Sequence, residues 1–291
     1  MYIYLNGQII RQEEAVISVF DHGFMYGLGL FETLRIYDGH PFLLDDHLKR
    51  LNDGLSELNI EKSFEREDAV SVIKTLLSKN NIENAYIRWN VSAGIGMIGL
   101  QTETYTQPNT IVYIKPLPKV VDMVEKTGQI VTVPRNTPEG FFRLKSHHYL
   151  NNILAKREIG PEQTMEGIFL TKEGYLAEGI TSNIFWVVDG ELYTPSLQTG
   201  ILNGITRKFI VKLAQDHGVA VKEGIFSLNI LARAKEVFAT NSIQEIIPIK
   251  RIDKYEYKGK EGPVVTMLYK EYRKHTSQLW SVKELEGIKE W

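Results

Sequence analysis

The chain of 291 residues contains no cysteine. That absence excludes disulfide bonds, thiolate nucleophiles and cysteine-ligated zinc sites. An excess of one charge is also lacking, since 34 Lys and Arg residues stand against 36 Asp and Glu residues, for a formal net charge of −2. Such a balance provides no broad cationic surface for a nucleic acid or an anionic membrane. Any chemistry must therefore use oxygen and nitrogen side chains or a cofactor.

Long hydrophobic runs and a basic leader are absent too. Apolar runs such as residues 184–188 are far shorter than a bilayer span, and the first residues, MYIYLNGQII, carry no basic cluster. We therefore expect a cytoplasmic protein that binds neither membrane nor nucleic acid. With 43% hydrophobic and 24% charged residues, the composition is that of a globular protein with one large core or two cores.

Hairpin and helix signals together indicate an α+β fold. Three turn dipeptides between apolar segments predict β-hairpins: Asn6-Gly7, Asp38-Gly39 and Asp189-Gly190. Leucines spaced three or four residues apart predict an amphipathic helix over residues 44–58. Further helices are expected at residues 67–79, 148–158 and 205–217, and strands at 86–92, 110–114, 183–188 and 236–240, with another strand ending at Pro134. The mixture lacks a regular βαβ alternation, which favours the α+β class.

The character of the sequence changes near residues 115–118, which contain two prolines, and this change predicts a domain boundary. We predict a small N-terminal domain over residues 1–116, a linker over 117–127 and a larger C-terminal domain over 128–291. The glycines at 94, 96 and 99 match the dinucleotide pattern GxGxxG. Because Pro108 and the next strand leave no room for the helix that this pattern requires, a flexible loop is the better interpretation.

Three basic side chains are candidates for binding or catalysis. Arg50 lies beside the leucine stripe, where an arginine usually pairs with an acid and less often binds phosphate. Arg88 interrupts an apolar strand, and its guanidinium would suit a substrate carboxylate if that face lines a cleft. Lys145 has polar and aromatic neighbours, which suit a Schiff base lysine, although most lysines are solvated surface charges. His147 and His148 are adjacent and diverge, so no metal site is predicted.

Further along the chain, candidate sites for anions and for a heterocycle follow one another. Gly204 and Thr206 stand where a loop becomes a helix, and a helix start can bind phosphate, although such residues are more often only a cap. The run Thr240-Asn241-Ser242 follows a strand and could hold an oxyanion. Glu178 is a lone carboxylate between small residues. It could bond to turn amides, or it could hold a heterocyclic nitrogen in its protonated form.

Taken together, a lysine amine, a carboxylate and a phosphate site are what pyridoxal phosphate requires. In six segments the chain resembles the fold type IV pyridoxal phosphate enzymes, which comprise branched-chain aminotransferases, D-amino acid aminotransferases and aminodeoxychorismate lyases. The matching segments are residues 31–35 (FETLR), 47–50 (HLKR), Lys145 with 149–152 (YLNN), 177–186 (AEGITSNIFW), 200–207 (GILNGITR) and 239–248 (ATNSIQEIIP). The resemblance implies a small α/β domain, a larger α/β-barrel-like domain and a homodimer.

The same resemblance implies roles for individual residues. Lys145 would attach the cofactor covalently and move protons, Glu178 would pair with the pyridine nitrogen, and Tyr149 would reach the phenolic oxygen. The implied phosphate contacts are Arg50, the backbone amides of Ile205 and Thr206, the Thr206 hydroxyl and Ser242.

Smaller differences point to the lyases within that family. Where this chain has FETLR, branched-chain enzymes have a segment similar to FEGIR, whereas the lyases carry Thr at the position of Thr33. Asn241 also resembles the residue that the lyases have at its position. The chain is most similar to the bacillus-type lyases, notably at residues 21–24 and 143–152. This implies conversion of 4-amino-4-deoxychorismate to 4-aminobenzoate and pyruvate, with Thr33 assisting proton transfer and Arg88, Asn241 and Thr33 contacting the substrate. A D-amino acid or branched-chain aminotransferase and a non-catalytic cofactor-binding protein are the alternatives.

Overall fold

The computed structural model describes residues 1–287, which form two compact units. Unit 1 comprises Met1–Lys119, Leu144–His148 and the segment from Thr276 onward, and unit 2 comprises Val120–Arg143 and Tyr149–His275. The break after Lys119 falls inside the predicted linker, 117–127. Two parts of the predicted second domain, Leu144–His148 and the segment from Thr276, instead belong to unit 1. The end of that predicted domain, residues 288–291, lies outside the described residues.

Unit 1 is built on an antiparallel sheet. Its elements are β1 Tyr2–Leu5, β2 Gln8–Arg11, α1 His22–Tyr26, β3 Gly29–Tyr37, β4 His40–Pro41, α2 Leu44–Glu57, α3 Arg66–Asn80, β5 Ala85–Ser92 and β6 Asn109–Pro116. The strand order is β2-β1-β6-β5-β3-β4. The predicted hairpin at Asn6-Gly7 is present, and both residues have positive φ, which is what a tight two-residue turn requires. The glycine pattern at 94–99 lies in the helix-free loop between β5 and β6.

The core of unit 1 lies between this sheet and the leucine-striped helix α2. Leu48, Leu51 and Leu55 are buried against Leu34 and Ile36 of β3. Every second residue of β3 faces this core, so its other residues lie on the opposite face of the sheet. That second face carries the candidate residues Phe31 and Thr33.

Two segments distant in sequence join unit 1 through backbone hydrogen bonds. The amide of Phe31 donates to the carbonyl of Lys145 over 3.0 Å, and the amide of His147 donates to the carbonyl of Gly29 over 3.0 Å. The amide of Leu43 donates to the carbonyl of Leu279 over 3.1 Å. These bonds explain why both segments belong to unit 1, a pairing that no local sequence signal predicts.

Unit 2 contains a sheet with both parallel and antiparallel pairs. Its elements are β7 Lys126–Ile130, α4 Leu150–Ile159, β8 Met165–Leu170, β9 Leu176–Gly179, β10 Asn183–Val188, β11 Glu191–Pro195, α5 Ile205–Asp216, β12 Val221–Gly224, β13 Glu236–Asn241, β14 Glu245–Ile252, β15 Tyr255–Glu256 and α6 Pro263–His275. The strand order is β12-β11-β10-β13-β14-β7-β8-β9, with β15 paired to β14. Parallel pairing joins β11 to β12, β14 to β7 and β7 to β8.

Some predicted boundaries differ by one to four residues from those observed. The strand expected to end at Pro134 ends at Ile130, because the amide of Thr132 bonds to the Glu158 carboxylate instead of to a neighbouring strand. The helix expected from His148 begins at Leu150. The two predicted first residues, His148 and Tyr149, lie before the helix, and His147 just ahead of them pairs with Gly29 of β3. Among residues 1–287, no helix is both long and apolar enough to cross a membrane.

The buried face of α2 can be tested by truncating one leucine. Leu55 is fully buried in the core of unit 1, so Leu55→Ala should lower the free energy of unfolding by about 2–5 kcal/mol. The neighbouring Ser56 is exposed, and Ser56→Ala is the matched control, with an expected change within about 0.5 kcal/mol. Urea unfolding measures both values. Equal effects would contradict the assignment of Leu55 to the core.

Candidate active site

Lys145 is fixed through its backbone beside the first half of β3. Its carbonyl accepts the Phe31 amide, and Ser146 forms an antiparallel bridge with Leu30. The Lys145 Nζ atom lies 4.5 Å from the centre of the Phe31 ring, within the range of a cation–π interaction. The lysine predicted to be catalytic is therefore held by main-chain bonds, while its amine rests against an aromatic face.

The sheet face around Phe31 also carries Arg88 and Thr33. Arg88 Cζ lies 3.5 Å from the centre of the Phe31 ring, and Arg88 stands directly opposite Thr33 in the β3/β5 pairing. In the described part of the chain, the guanidinium makes two long hydrogen bonds, of 3.3 and 3.4 Å, to Asn90 Oδ1 and no others. Within residues 1–287, neither Lys145 nor Arg88 forms an ion pair with a carboxylate. This face of unit 1 thus presents two cations and a hydroxyl group, a combination suited to an anionic ligand.

His147 is a fourth polar group beside Lys145, Arg88 and Thr33, and its role was missed from the sequence. Its ring stacks on Phe31 at 6.4 Å between centroids, and its buried Nε2 has no hydrogen-bond partner in the described part of the chain. Burial, followed by the nearby Arg88 charge, lowers the pKa of His147 to about 4. The spacing of two from Lys145 was the available signal, because alternate residues of an extended segment share a face.

The phosphate candidate Arg50 is engaged in a buried ion-pair cluster of unit 1. Its Nε and one terminal nitrogen donate to the two oxygens of Glu32, each over 2.7 Å. His47 Nδ1 also lies 2.7 Å from Glu32 Oε2. Burial alone would raise the pKa of Glu32, but Arg50 and His47 hold that pKa well below its ordinary value. The arginine is therefore oriented by a carboxylate that the sequence analysis did not single out.

In unit 2, Glu178 is a buried carboxylate with several hydrogen bonds. Its Oε1 accepts from Arg135 Nε over 2.8 Å, and its Oε2 accepts from the Leu202 amide over 3.0 Å and from Asn183 Nδ2 over 3.4 Å. A carboxylate has about four acceptor positions, so one more donor can be accommodated. Arg135, which the sequence analysis missed, lies 43 positions away in sequence, and only the fold brings it to Glu178.

The start of α5 is tied to the same region of unit 2. Asn183 Nδ2 donates to the Leu202 carbonyl over 2.9 Å, and a Cβ atom at Gly204 would lie only 2.1 Å from Asn183 Oδ1. Gly204 therefore allows the loop to approach β10 closely. The Thr206 hydroxyl lies 3.4 Å from the Ser242 hydroxyl, beside the first turn of α5, whose amides lack acceptors within the helix. Two hydroxyls at a helix start form a donor set suited to phosphate.

Asn241 and Tyr149, two further predicted site residues of unit 2, make other contacts than the hydroxyls at the start of α5. The Asn241 side-chain oxygen accepts the amides of Ile243 and Gln244, so its amide group is used within its own turn. Tyr149 precedes α4 and lines a cavity of about 450 Å³. From the sequence, Asn241 is expected to contact the substrate and Tyr149 the cofactor.

The polar side chains of each unit suit one part of a phosphorylated pyridine aldehyde. Unit 2 holds a buried carboxylate with one acceptor position left, which suits a protonated ring nitrogen, and a helix start with two hydroxyls, which suits the phosphate. Unit 1 holds a lysine amine without a carboxylate partner among residues 1–287, which suits an aldehyde carbon. The residues present therefore have the chemistry that such a cofactor requires.

Comparison with known proteins places the chain in one family. The sequence model of the family described as Amino-transferase class IV matches residues 29–252. The chain is 45% identical to the aminodeoxychorismate lyase of Bacillus subtilis (strain 168), over 95% of each chain. It is 31% identical to the D-alanine aminotransferase of Staphylococcus haemolyticus, over 94% of this chain and 97% of the relative. The solved branched-chain amino acid aminotransferase of Escherichia coli matches with a TM-score of 0.85 and 30% identity, covering 95% and 94% of the two chains. The family resemblance and the fold class predicted from the sequence are confirmed.

The depressed pKa of His147 makes a prediction about stability. A histidine that stays neutral in the folded protein down to pH 4 binds fewer protons than the unfolded chain between about pH 4 and 6.5, so stability falls as the pH falls through that window. Acidification from pH 7.5 to 4.5 should therefore cost the wild type about 2–3 kcal/mol more than His147→Asn. Urea unfolding at the two pH values measures this difference. Identical losses in both proteins would show that His147 titrates normally.

Proposed function

Because the chain belongs to the class IV aminotransferase family, we propose that it is an aminodeoxychorismate lyase that depends on pyridoxal phosphate (PLP). PLP is the cofactor of this family. The proposed reaction converts 4-amino-4-deoxychorismate into 4-aminobenzoate and pyruvate, a step of folate biosynthesis. The similarity of this chain, over nearly its whole length, to the Bacillus subtilis lyase supports the choice of this reaction.

The observation that carries the proposal is the pairing of Thr33 with Arg88 on the face that also holds Lys145. The substrate has two carboxylates and an ether oxygen that must leave. Arg88, which lacks a carboxylate partner within the described chain, can bind one carboxylate. Thr33 adds a hydroxyl on the same face. Branched-chain aminotransferases have a segment similar to FEGIR here, with glycine at the position of Thr33. A glycine would supply no hydroxyl.

We assign the cofactor contacts by the chemistry of each group. Lys145 attaches the aldehyde carbon, and Glu178, oriented by Arg135, holds the protonated ring nitrogen. The phosphate contacts are the amides of Ile205 and Thr206, the hydroxyls of Thr206 and Ser242, and Arg50. Tyr149 is assigned to the phenolic oxygen. Asn241, whose side-chain oxygen is occupied in its own turn, is the weakest of the predicted substrate contacts.

The chain's own residues then perform an elimination. When bound, PLP supplies an electron sink for the carbon that bears the substrate amino group. Lys145 Nζ takes the proton from this carbon, Arg88 holds a carboxylate, and the Thr33 hydroxyl donates to the ether oxygen as its bond to the ring breaks. The leaving enolpyruvate gains one proton and becomes pyruvate. The proton that Lys145 removes balances the proton that the enolpyruvate gains. Because the amino group stays on the ring, no acceptor of amino groups is needed.

An aminotransferase on the same fold is the second candidate function. It is favoured by the 31% identity to the Staphylococcus haemolyticus enzyme and by the match to the Escherichia coli structure. The two functions differ in one requirement, because an aminotransferase must pass the amino group to an α-keto acid and a lyase need not.

That difference defines the experiment on the proposed function. Incubation of the purified protein with aminodeoxychorismate, without any keto acid, should release 4-aminobenzoate and pyruvate in equal amounts. Thr33→Ser should retain the activity, whereas Thr33→Val should lose about 10- to 1,000-fold in kcat because it keeps the size but lacks the hydroxyl. Product formation only after addition of a keto acid would contradict the lyase assignment.

The role of Lys145 can be tested independently of turnover. Lys145→Ala should lose the visible absorbance of the lysine-bound cofactor and essentially all activity, because no other group forms the covalent link. The matched control is Lys172→Ala, which removes an exposed lysine of unit 2 and should leave both properties unchanged. Borohydride reduction followed by mass spectrometry locates the labelled lysine. A label on any other residue would contradict the assignment.

We also propose that the protein is a homodimer, using one face of α4. Leu150, Ile153 and Leu154 are 67%, 46% and 40% exposed. Ile153 and Leu154 follow Leu150 by three and four residues, so they share a face of the helix with it. The preceding loop adds the exposed rings of Phe141 and Phe142. Monomeric proteins seldom expose so large an apolar patch, and a second copy of the chain is the proposed cover.

The dimer proposal predicts the effect of a charge on this face. Ile153→Lys should shift the protein from dimer to monomer in analytical ultracentrifugation, because a buried unpaired ammonium is costly. Lys172→Glu, a charge change on an exposed residue elsewhere in unit 2, should leave the dimer intact. A wild-type protein that sediments as a monomer would contradict the proposal.

A further inference from the structure

We infer that Asn241 and Gln244 are positioning residues that hold the phosphate contact Ser242 in place, through a buried ion pair of unit 2. This inference rests on the proposed function, in which Ser242 binds the PLP phosphate. None of the positioning side chains needs to touch the cofactor. Their contribution is to fix the turn that follows β13.

The turn is closed by the Asn241 side chain. Its Oδ1 accepts the backbone amides of Ile243 over 3.0 Å and of Gln244 over 2.8 Å. Ser242 lies inside the loop that these two bonds close, and its hydroxyl stands 3.4 Å from that of Thr206 at the start of α5. An asparagine that accepts amides two and three positions ahead fixes the backbone between them.

Gln244 connects this turn to the interior of unit 2. Its Oε1 accepts from Asn241 Nδ2 over 3.3 Å and from Lys126 Nζ over 3.2 Å. Lys126 in turn forms a buried ion pair with Glu166, with 2.8 Å between Nζ and Oε2. The other oxygen of Glu166 accepts from the Ser182 hydroxyl over 2.7 Å. The turn is thus linked by hydrogen bonds to side chains on β7 and β8.

Packing does not replace these hydrogen bonds on this side of the turn. Lys126, Glu166 and Gln244 all line the cavity of about 450 Å³, together with Thr181 and Tyr149. Side chains that border a cavity lack packing contacts on the side that faces the cavity. The pairing of Asn241 with Glu245 fixes the two ends of the turn, and the chain of polar contacts from Asn241 through Gln244 to Lys126 fixes the side of the turn that borders the cavity.

A positioning role of this kind has a distinctive consequence for cofactor binding. The contacts act on the phosphate alone, so their loss should weaken the binding of PLP and spare that of pyridoxal, which lacks the phosphate. A general loss of stability would weaken both compounds alike. The ratio of the two affinities therefore separates positioning from a merely structural role.

The test uses the full chain freed of cofactor by dialysis and titrated with PLP and, separately, with pyridoxal. Gln244→Ala should raise the PLP dissociation constant about 3- to 10-fold, the equivalent of one lost hydrogen bond, with pyridoxal unchanged within about 2-fold. Asn241→Ala should have at least as large an effect, because it also removes the acceptor of two amides. Gln244 is exposed, so its replacement carries little risk for folding. Gln215→Ala, an exposed glutamine near the end of α5, is the matched control and should change neither constant.

A double variant tests whether Gln244 acts through Asn241. In the Asn241→Ala background, Gln244→Ala should add less than about 2-fold, because two residues in one chain of contacts are not additive. Unchanged PLP affinity in the single variants, equal weakening of PLP and pyridoxal, or fully additive effects would each overturn the inference. A wild-type protein that binds PLP no better than pyridoxal would instead overturn the proposed phosphate site itself.

Discussion

The hydrogen bonds that attach the Lys145 segment to β3 are the constraint on which the proposed chemistry depends. The Phe31 amide donates to the Lys145 carbonyl, and the His147 amide donates to the Gly29 carbonyl. They add the segment to the sheet as a short further strand, so the lysine side chain must lie on the face that carries Phe31 and Arg88. The lysine is thereby placed by backbone hydrogen bonds to a strand of the unit 1 sheet.

The polar residues of the proposed site divide into two groups with different tasks. Glu32 pairs with Arg50 and orients this arginine for the proposed phosphate contact, whereas Arg135 pairs with Glu178 and orients this carboxylate for the proposed contact with the ring nitrogen. Lys145 and Arg88 form no ion pair with a carboxylate within residues 1–287, and the Nε2 atom of His147 has no hydrogen-bond partner there. Because a half-buried cation without a partner is costly, this second group marks where an anionic ligand is expected. The contrast between these two groups supports the proposed reactive face without reference to sequence similarity.

Local features of the fold could be predicted from the sequence, whereas contacts between distant segments could not. The stripe of leucines predicts α2 and Asn6-Gly7 predicts the first hairpin, because both signals lie within one element. Arg135 and Glu178 are 43 positions apart, and no periodicity links them. The same holds for the attachment of Lys145 to β3. The roles assigned to Lys145 and Glu178 came from the resemblance of six segments to a family, and they stay predictions about this chain.

The central claim is that this site removes pyruvate without removing the amino group, and the fate of that nitrogen tests it most directly. Aminodeoxychorismate labelled with ¹⁵N at the amine is incubated with the enzyme and with an α-keto acid present in excess, and the products are analysed by mass spectrometry. The account predicts that the label stays in 4-aminobenzoate, because Lys145 and Thr33 serve an elimination. Recovery of the label in a new amino acid, with none in an aromatic amine, would contradict the account.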